Sequence, residues 1–276
     1  IECHQQCLDI LHGLGDRKGA SNALGNLGVA YAVIGKLEQG VDYYEQALAI
    51  DREIGDRRGE AQDLGNLGIA FTSLGEPMRA VEYHNQALII VRELGDRRSE
   101  AQDLGNLGSA YSALGETHRA IEFLEEALAL FSELGDRRSE WIALTKLGDV
   151  YKDLKDWDDV GRFYERALTL ARELGEMQGE ADVLGNLGVV SGVMGQPKIA
   201  LEYFKQQFDV AREIGDRRGE GNALWNVSQA LVKLGKSKEA ISEAKAAIKV
   251  FDEIHDPSSA RIEERLKKWQ DQSSSS

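Results

Sequence analysis

The hydrophobic positions of the chain recur with the spacing of an amphipathic helix. In the segment 57–74 the apolar residues fall on one helical face, namely Leu64, Leu67, Ala70, Phe71 and Leu74. A second apolar stripe follows at the same spacing and comprises Ala80, Val81, Ala87, Leu88 and Val91. No segment shows the strict alternation of apolar and polar residues that a half-buried strand requires. The pattern therefore predicts an all-α chain built from pairs of helices.

Aspartate, glycine and proline mark the ends of these predicted helices. Asp56 stands before the first helix, where its carboxylate can accept the free N–H groups of the first turn. Gly75 ends that helix, and Pro77 begins the second one at a position that tolerates proline. Gly95 follows the second helix, where a left-handed backbone commonly closes a helix. The end signals agree with the hydrophobic pattern and define a helix pair of fixed length.

This helix pair recurs along the chain with a period of 40 residues. The motif Gly-Asp-Arg starts at Gly15, Gly55, Gly95, Gly135 and Gly215, and Gly175 begins a degenerate copy. Between segments 55–75 and 95–115, 16 of 21 positions are identical. One helix pair cannot bury its apolar face alone, so neighbouring repeats are expected to stack around a shared core.

The period predicts one domain over residues 1–271 with about 14 helices. A half repeat occupies 1–14, full repeats occupy 15–54, 55–94, 95–134, 135–174, 175–214 and 215–254, and a capping helix occupies 258–271. Residues 272–276 are expected to form a tail. Because the sequence begins at Ile1 and not at a methionine, we expect it to be cut from a longer protein.

The repeat resembles the tetratricopeptide signature W-x2-L-G-x2-Y…A-x3-F. The matching positions in the first repeat are Leu27, Gly28, Tyr31 and Ala47, while Leu24, Gly40 and Tyr44 stand where the signature has Trp, Ala and Phe. The resemblance implies a right-handed superhelical solenoid of antiparallel helix pairs. The repeat is longer than the usual length of about 34 residues. This long form is similar to the repeats of kinesin light chains, of Partner-of-Inscuteable-type adaptors and of bacterial proteins whose repeats follow a signalling ATPase.

In tetratricopeptide solenoids the first helix of each pair lines the concave face, so the resemblance implies a peptide-binding groove there. The candidate residues are an asparagine ladder (Asn26, Asn66, Asn106, Asn186 and Asn226) together with Gln62, Gln102, Lys146, Asn222 and Trp225. A carboxamide both donates and accepts hydrogen bonds, so it can pair with both groups of an extended peptide backbone. Alternatively, each asparagine bonds the neighbouring repeat and fixes the stacking.

Three further features distinguish the first helices, and two of them leave two interpretations open. Glycines inside these helices each cost roughly 1 kcal/mol relative to alanine, and they occupy positions 25, 65, 105 and 185. They either let a ligand backbone come close or allow a tight contact between repeats. Lys146 interrupts the asparagine ladder in the fourth repeat, and Trp225 replaces the glycine in the sixth. These two repeats are expected to give sequence preference. Trp225 is either an aromatic anchor for the ligand or packing at the end of the solenoid.

The charge of the chain narrows the class of partner. A formal net charge of −14 repels phosphate backbones, so nucleic acid is not an expected partner. The pair Arg57-Arg58 and its copies follow an N-cap aspartate and lie near glutamates. These arginines are expected to form ion pairs between adjacent repeats and not a phosphate site. A neutral or basic protein or peptide segment is the expected ligand, and homo-oligomerisation stays possible.

Compartment and membrane attachment follow from the same composition. No run approaches the roughly 18 to 20 apolar residues of a membrane span, so membrane insertion is not expected. Cys3 and Cys7 are one helical turn apart, a geometry that suits a disulfide poorly. They are expected to be reduced thiols of a cytoplasmic protein, and a two-ligand metal site with His4 is the less favoured alternative.

The sequence contains no set of residues that indicates catalysis. The five histidines share no spacing, and neither a phosphate-binding G-x-x-x-x-G-K-[ST] loop nor a G-x-S-x-G elbow occurs. His84 replaces the aromatic of Tyr44 and is expected to be packed or half-buried. We therefore expect a peptide-binding adaptor without enzyme activity, cofactor or metal. The alternatives are a self-association module and a regulatory sensor of a signalling ATPase or transcription regulator.

Overall fold

The computed structural model describes residues 1–274, which form fourteen α-helices and, within that range, no strand. The helices are α1 Glu2–Leu14, α2 Arg17–Val33, α3 Leu37–Ile54, α4 Arg57–Ser73, α5 Pro77–Leu94, α6 Arg97–Ala113, α7 Thr117–Leu134, α8 Arg137–Leu154, α9 Trp157–Leu174, α10 Met177–Val193, α11 Pro197–Glu213, α12 Arg217–Lys233, α13 Ser237–Glu253 and α14 Ser258–Ser274. The all-α prediction is confirmed.

The chain divides into two compact units, Ile1–Lys146 and the part from Leu147 onward. In the first, the helix pairs α2–α3, α4–α5 and α6–α7 pack together, and α2, α4 and α6 are neighbours. In the second, α10–α11 and α12–α13 form the pairs, and α14 packs on α13. Each pair is antiparallel, as shown by Tyr31 of α2, which stacks on Tyr43 of α3 at 5.1 Å. The predicted stacking of helix pairs is confirmed.

The helix ends form where the sequence places capping residues. The Asp56 carboxylate accepts a hydrogen bond from the Gly59 N–H at 3.2 Å, and the other Gly-Asp repeats have the same cap. Gly95 closes α5 with a left-handed φ of +68°. Pro77 and Pro197 occupy the first positions of α5 and α11. These caps fix the turns and hence the register between the two helices of a pair.

The glycine at position 28 and its copies bring the two helices of each pair into contact. A Cβ on Gly28 would lie 2.5 Å from the Tyr44 ring, and one on Gly188 would lie 2.3 Å from the Phe204 ring. Such distances are too short for a methyl group, so only glycine allows the second helix to place a large side chain there. This close contact orients the first helix and with it the residues on its opposite face.

The predicted domain bounds stay a prediction, although two helix positions bear on them. α14 continues to Ser274, whereas the sequence expectation ended the capping helix at 271 and began a tail at 272. Residues 275 and 276 of that expected tail lie outside the described residues. Helix α8 contains the boundary between the two units, which follows Lys146.

Candidate peptide-binding groove

Four of the predicted site residues come together on one surface of the first unit. Gln62 and Asn66 of α4 and Gln102 and Asn106 of α6 line a single cavity of about 470 Å³. The helical spacing explains this, because residues four apart on a helix lie on the same face. The period of 40 residues then places the same pair on the neighbouring first helix.

A second cavity of about 320 Å³ adjoins the first and shares Ile69, Gln102 and Asn106 with it. Its floor is apolar and includes Leu124 and Phe131 of α7. The two cavities form one continuous depression, which we call the unit 1 groove and define by five residues: Gln62, Asn66, Gln102, Asn106 and Lys146. Its walls are polar amides, and its floor changes from polar to apolar along its length.

The four amide side chains of the unit 1 groove have no hydrogen-bond partner among residues 1–274. Gln62 and Gln102 are exposed, Asn66 and Asn106 are half-buried, and none forms a side-chain hydrogen bond with another described residue. The alternative in which asparagines bond the neighbouring repeat therefore has no hydrogen bond to support it among residues 1–274. The amides keep their donors and acceptors available for a ligand.

Lys146 lies on the wall of the apolar half of the groove. Its ammonium donates a hydrogen bond to Ser109 Oγ of α6, and no carboxylate in the described chain forms an ion pair with it. Burial lowers the pKa of Lys146 because the charged form loses water there. The structure thus places Lys146 beside Asn106, while its predicted role in sequence preference stays a prediction.

Glycine at position 25 and its copies differ from one repeat to the next. A Cβ on Gly65 would meet Asp103 Oδ1 at 3.6 Å, and one on Gly105 would meet only Phe131 at 3.8 Å and Ala127 at 3.9 Å. Both are ordinary van der Waals distances, so neither glycine is required by a tight contact between repeats. Gly185 differs, because a Cβ there would lie 2.5 Å from Gln207 Nε2.

The remaining members of the asparagine ladder lie outside the unit 1 groove. Asn26 of α2 is exposed. In the second unit, Asn186 is half-buried and Asn222 is exposed, while Asn226 lines a cavity of about 180 Å³ with Val189 and Gln229. This smaller cavity is mainly apolar, so the two units do not present equivalent surfaces.

Comparison with known protein families identifies the family of this chain. Models described as tetratricopeptide repeat match residues 19–88, 64–133, 143–178 and 179–253, which together span well over half of the chain. The chain belongs to the tetratricopeptide repeat family. No curated protein sequence matches it significantly.

Solved tetratricopeptide structures share this fold at low sequence identity. A Pyrococcus horikoshii STAND protein with a tetratricopeptide repeat sensor has a TM-score of 0.79 and 18% identity, over 92% of this chain and 39% of that one. A Podosopora anserina protein described as a kinesin light chain with nearly identical TPR-like repeats has a TM-score of 0.61 and 19% identity, over 71% and 96%. A Rap protein complexed with Competence and Sporulation Factor has a TM-score of 0.61 and 15% identity, over 96% and 79%.

Trp225 of the tetratricopeptide solenoid packs against the capping helix. Its ring stacks on Trp269 of α14 at 5.4 Å with 14° between the planes, and Arg265 lies 5.8 Å over it. Both tryptophans pack against a cluster that contains Phe251 and Leu266. Trp225 thus packs at the end of the repeats, in agreement with one of its two interpretations, and its role as an aromatic anchor for a ligand stays a prediction.

The paired arginines of the repeats form ion pairs along one edge. Arg57 bonds Glu60 and Glu93 at 2.7 and 2.6 Å, so it pairs within its own repeat. Arg98, the second arginine of its pair, reaches the next repeat and bonds the N-cap Asp136 at 3.5 Å. The expectation of pairing between adjacent repeats holds for Arg98, whereas Arg57 pairs within its own repeat.

Two buried acids of the first unit were not recognised from the sequence. Asp63 is 5% exposed and adjoins the Asp51 carboxylate, and Asp103 is 6% exposed and lies 3.0 Å from His84 Nδ1. Burial, with the Asp51 charge as a second cause, raises the pKa of Asp63 to about 8. Burial also raises the pKa of Asp103, while His84 opposes that rise. Alanine stands at the equivalent positions 23 and 143, which is the signal that marks both acids as buried.

None of the helices within residues 1–274 is both long enough and apolar enough to cross a bilayer. In that range no group of three or more histidine, cysteine or acidic side chains is arranged so that it could hold a metal ion. His84 is fully buried, in line with its expected packed position.

Proposed function

We propose that this chain is a non-enzymatic scaffold that binds an extended peptide segment of a partner protein in the unit 1 groove. One observation carries the proposal: Gln62, Asn66, Gln102 and Asn106 line one cavity without an internal hydrogen bond. A ligand that covers these amides would have to supply their hydrogen-bond partners, because buried polar groups are nearly always hydrogen-bonded. An extended backbone offers alternating N–H and C=O groups. The four carboxamides can accept hydrogen bonds from the N–H groups and donate hydrogen bonds to the C=O groups.

The glycines of the groove support a ligand backbone at close range. Gly65 and Gly105 lie on the groove face, and an added Cβ would meet nothing closer than 3.6 Å. A glycine inside a helix costs roughly 1 kcal/mol of stability relative to alanine. A glycine at such a position is therefore expected to serve another purpose than helix formation. Space for a ligand main chain explains both positions.

The charge and the cysteines suggest the type of partner and the compartment. With a net charge of −14, the surface favours a neutral or basic segment over an acidic one. Cys3 and Cys7 are exposed free thiols, which a reducing compartment such as the cytoplasm maintains. A similar fold serves as the sensor of the Pyrococcus STAND protein and in the Rap protein complex, so a regulatory role within a larger protein is the second candidate.

The proposal is tested by selecting nine-residue peptides from a random display library on the wild-type chain. Selected peptides are then measured against the double variant Asn66→Ala/Asn106→Ala. A matched control is Asn26→Ala/Asn222→Ala, which removes two asparagines outside the unit 1 groove. We expect at least about tenfold weaker binding to the first variant only, because each lost hydrogen bond contributes roughly 1 kcal/mol.

Other outcomes of this experiment point to other functions. Failure to select any peptide, or equal binding to both variants, would sink the groove proposal. A chain that forms a stable dimer in light scattering and loses it on Asn66→Ala/Asn106→Ala would favour self-association. Circular dichroism of each variant shows whether the helices stay intact, so loss of binding is not confused with unfolding.

A further inference from the structure

Asp103 is a buried acidic side chain that lines the amide cavity of the unit 1 groove and is held in place by a buried histidine. Its Oδ1 lies 3.0 Å from Nδ1 of the fully buried His84. Because a carboxylate only accepts hydrogen bonds, His84 Nδ1–H is the donor. Asp103 also lines the amide cavity, together with Asn66 and Gln102.

The second oxygen of Asp103 has no donor from the described protein. In the preceding repeat, Asp63 occupies the same helical position and is buried to a similar extent. Asp63 adjoins the Asp51 carboxylate and is not among the residues of the amide cavity, whereas Asp103 lines that cavity.

We propose that Asp103 binds the ammonium or guanidinium group of a lysine or arginine in the bound peptide. The inference rests on the proposed function and adds the identity of one ligand side chain. The lone pairs of Oδ2 accept charge-assisted hydrogen bonds, which are stronger than neutral ones. His84 is a positioning residue, because its hydrogen bond to Oδ1 fixes the orientation of the Asp103 carboxylate.

The charges around the cavity favour a cation at this position. The ionisable residues on its wall are Arg58, Asp96 and Asp103, which sum to one negative charge when all are ionised. Arg58 is exposed, and no ion pair joins it to Asp103 among the described residues. Lys146 lines the adjoining cavity and repels a second cation there. The basic side chain is therefore confined to the part of the groove between α4 and α6.

The test uses the peptides selected on the wild-type chain. We expect lysine or arginine to be enriched at one peptide position and to be absent from that position in a selection on Asp103→Asn. Replacing this residue of the peptide by glutamine is expected to weaken binding to the wild type about tenfold or more. Binding to Asp103→Asn is expected to change less than about twofold, because the partner charge is already gone.

Asp63→Asn serves as the matched control, since it alters the equivalent acid outside the groove and is expected to leave the lysine or arginine preference unchanged. Selected peptides without a basic position, or a glutamine substitution that weakens binding to wild type and Asp103→Asn equally, would overturn the inference while the groove proposal stands. Absence of any selected peptide would overturn both. The comparison of two peptides on one variant stays valid even if Asp103→Asn lowers stability.

Discussion

The Cα of Gly68 lies directly against the imidazole of His84, so that a Cβ added at position 68 would come within 2.5 Å of the ring. The same helix, α4, carries Gly65, where an added Cβ would have only an ordinary contact at 3.6 Å. The two glycines of α4 therefore have different structural roles. Gly68 is required by packing between α4 and α5, and Gly65 is not.

This difference predicts opposite effects of the same substitution. Gly68→Ala should lower the free energy of unfolding by roughly 1–3 kcal/mol, because the buried ring cannot move aside without strain. Gly65→Ala should raise it by up to about 1 kcal/mol through helix propensity and weaken peptide binding. Chemical denaturation of both variants checks the prediction. A destabilised Gly65→Ala would show that Gly65 serves packing after all.

The buried acid pair predicts a pH-dependent stability. The pKa of Asp63 rises from 3.8 in the unfolded chain to about 8 in the folded one, so the folded state holds this proton more tightly. Stability from this group is complete below the unfolded pKa and is lost as the pH rises toward 8. Asp63→Asn mimics the protonated acid and removes the titration, so its advantage over the wild type should grow between pH 4 and pH 8.

Thermal unfolding of the wild type and Asp63→Asn at pH 5 and pH 8 measures this advantage. Asp42→Asn provides the control, because Asp42 is exposed on α3. A constant difference in melting temperature between the wild type and Asp63→Asn at both pH values would contradict the raised pKa of Asp63.

The stacked tryptophans predict that the capping helix stabilises the second unit. Trp225→Ala and Trp269→Ala should each lower the free energy of unfolding by roughly 1–3 kcal/mol. The double variant should show a coupling energy of about 1 kcal/mol, because stacked rings contribute beyond their buried area. Denaturant titrations of the three variants check this, and strict additivity would mean that the rings do not depend on each other.

The half-buried ammonium of Lys146 predicts a stabilising substitution. Burial lowers the pKa of Lys146, so its charged form is less stable in the folded chain than in the unfolded one. Lys146→Met keeps the length of the side chain and removes the charge. We expect the melting temperature of this variant at pH 7 to equal or exceed that of the wild type. The difference should shrink as the pH rises toward the pKa of free lysine. A marked loss of stability would indicate that the bond to Ser109 outweighs burial.

The sequence predicts most of the fold, because the repeat contains all local signals. Asp56, Gly95 and Pro77 mark helix ends through their own backbone chemistry, and the period extends them to every copy. The grouping of Gln62, Asn66, Gln102 and Asn106 also follows from the period, and the cavity they line is in keeping with the expected groove.

The chemistry beneath the groove depends on contacts that no local pattern encodes. Asp63 and Asp103 are charged residues that a single repeat would assign to the surface, and their partners Asp51 and His84 lie on preceding second helices. The two interpretations of Trp225 likewise depended on Trp269, which belongs to the capping helix outside the repeat pattern. Such pairings become visible only when the helices are packed.

The most direct test of the central claim addresses the peptide backbone itself. A selected peptide and versions with single N-methylated backbone amides are titrated calorimetrically against the wild type and against Asn66→Ala/Asn106→Ala. We predict that methylation at positions facing the groove weakens binding to the wild type about tenfold, because each methyl group removes one donor. The double variant should lose much of this sensitivity. Equal sensitivity of both proteins to methylation would contradict the claim that Asn66 and Asn106 hold a ligand by its backbone.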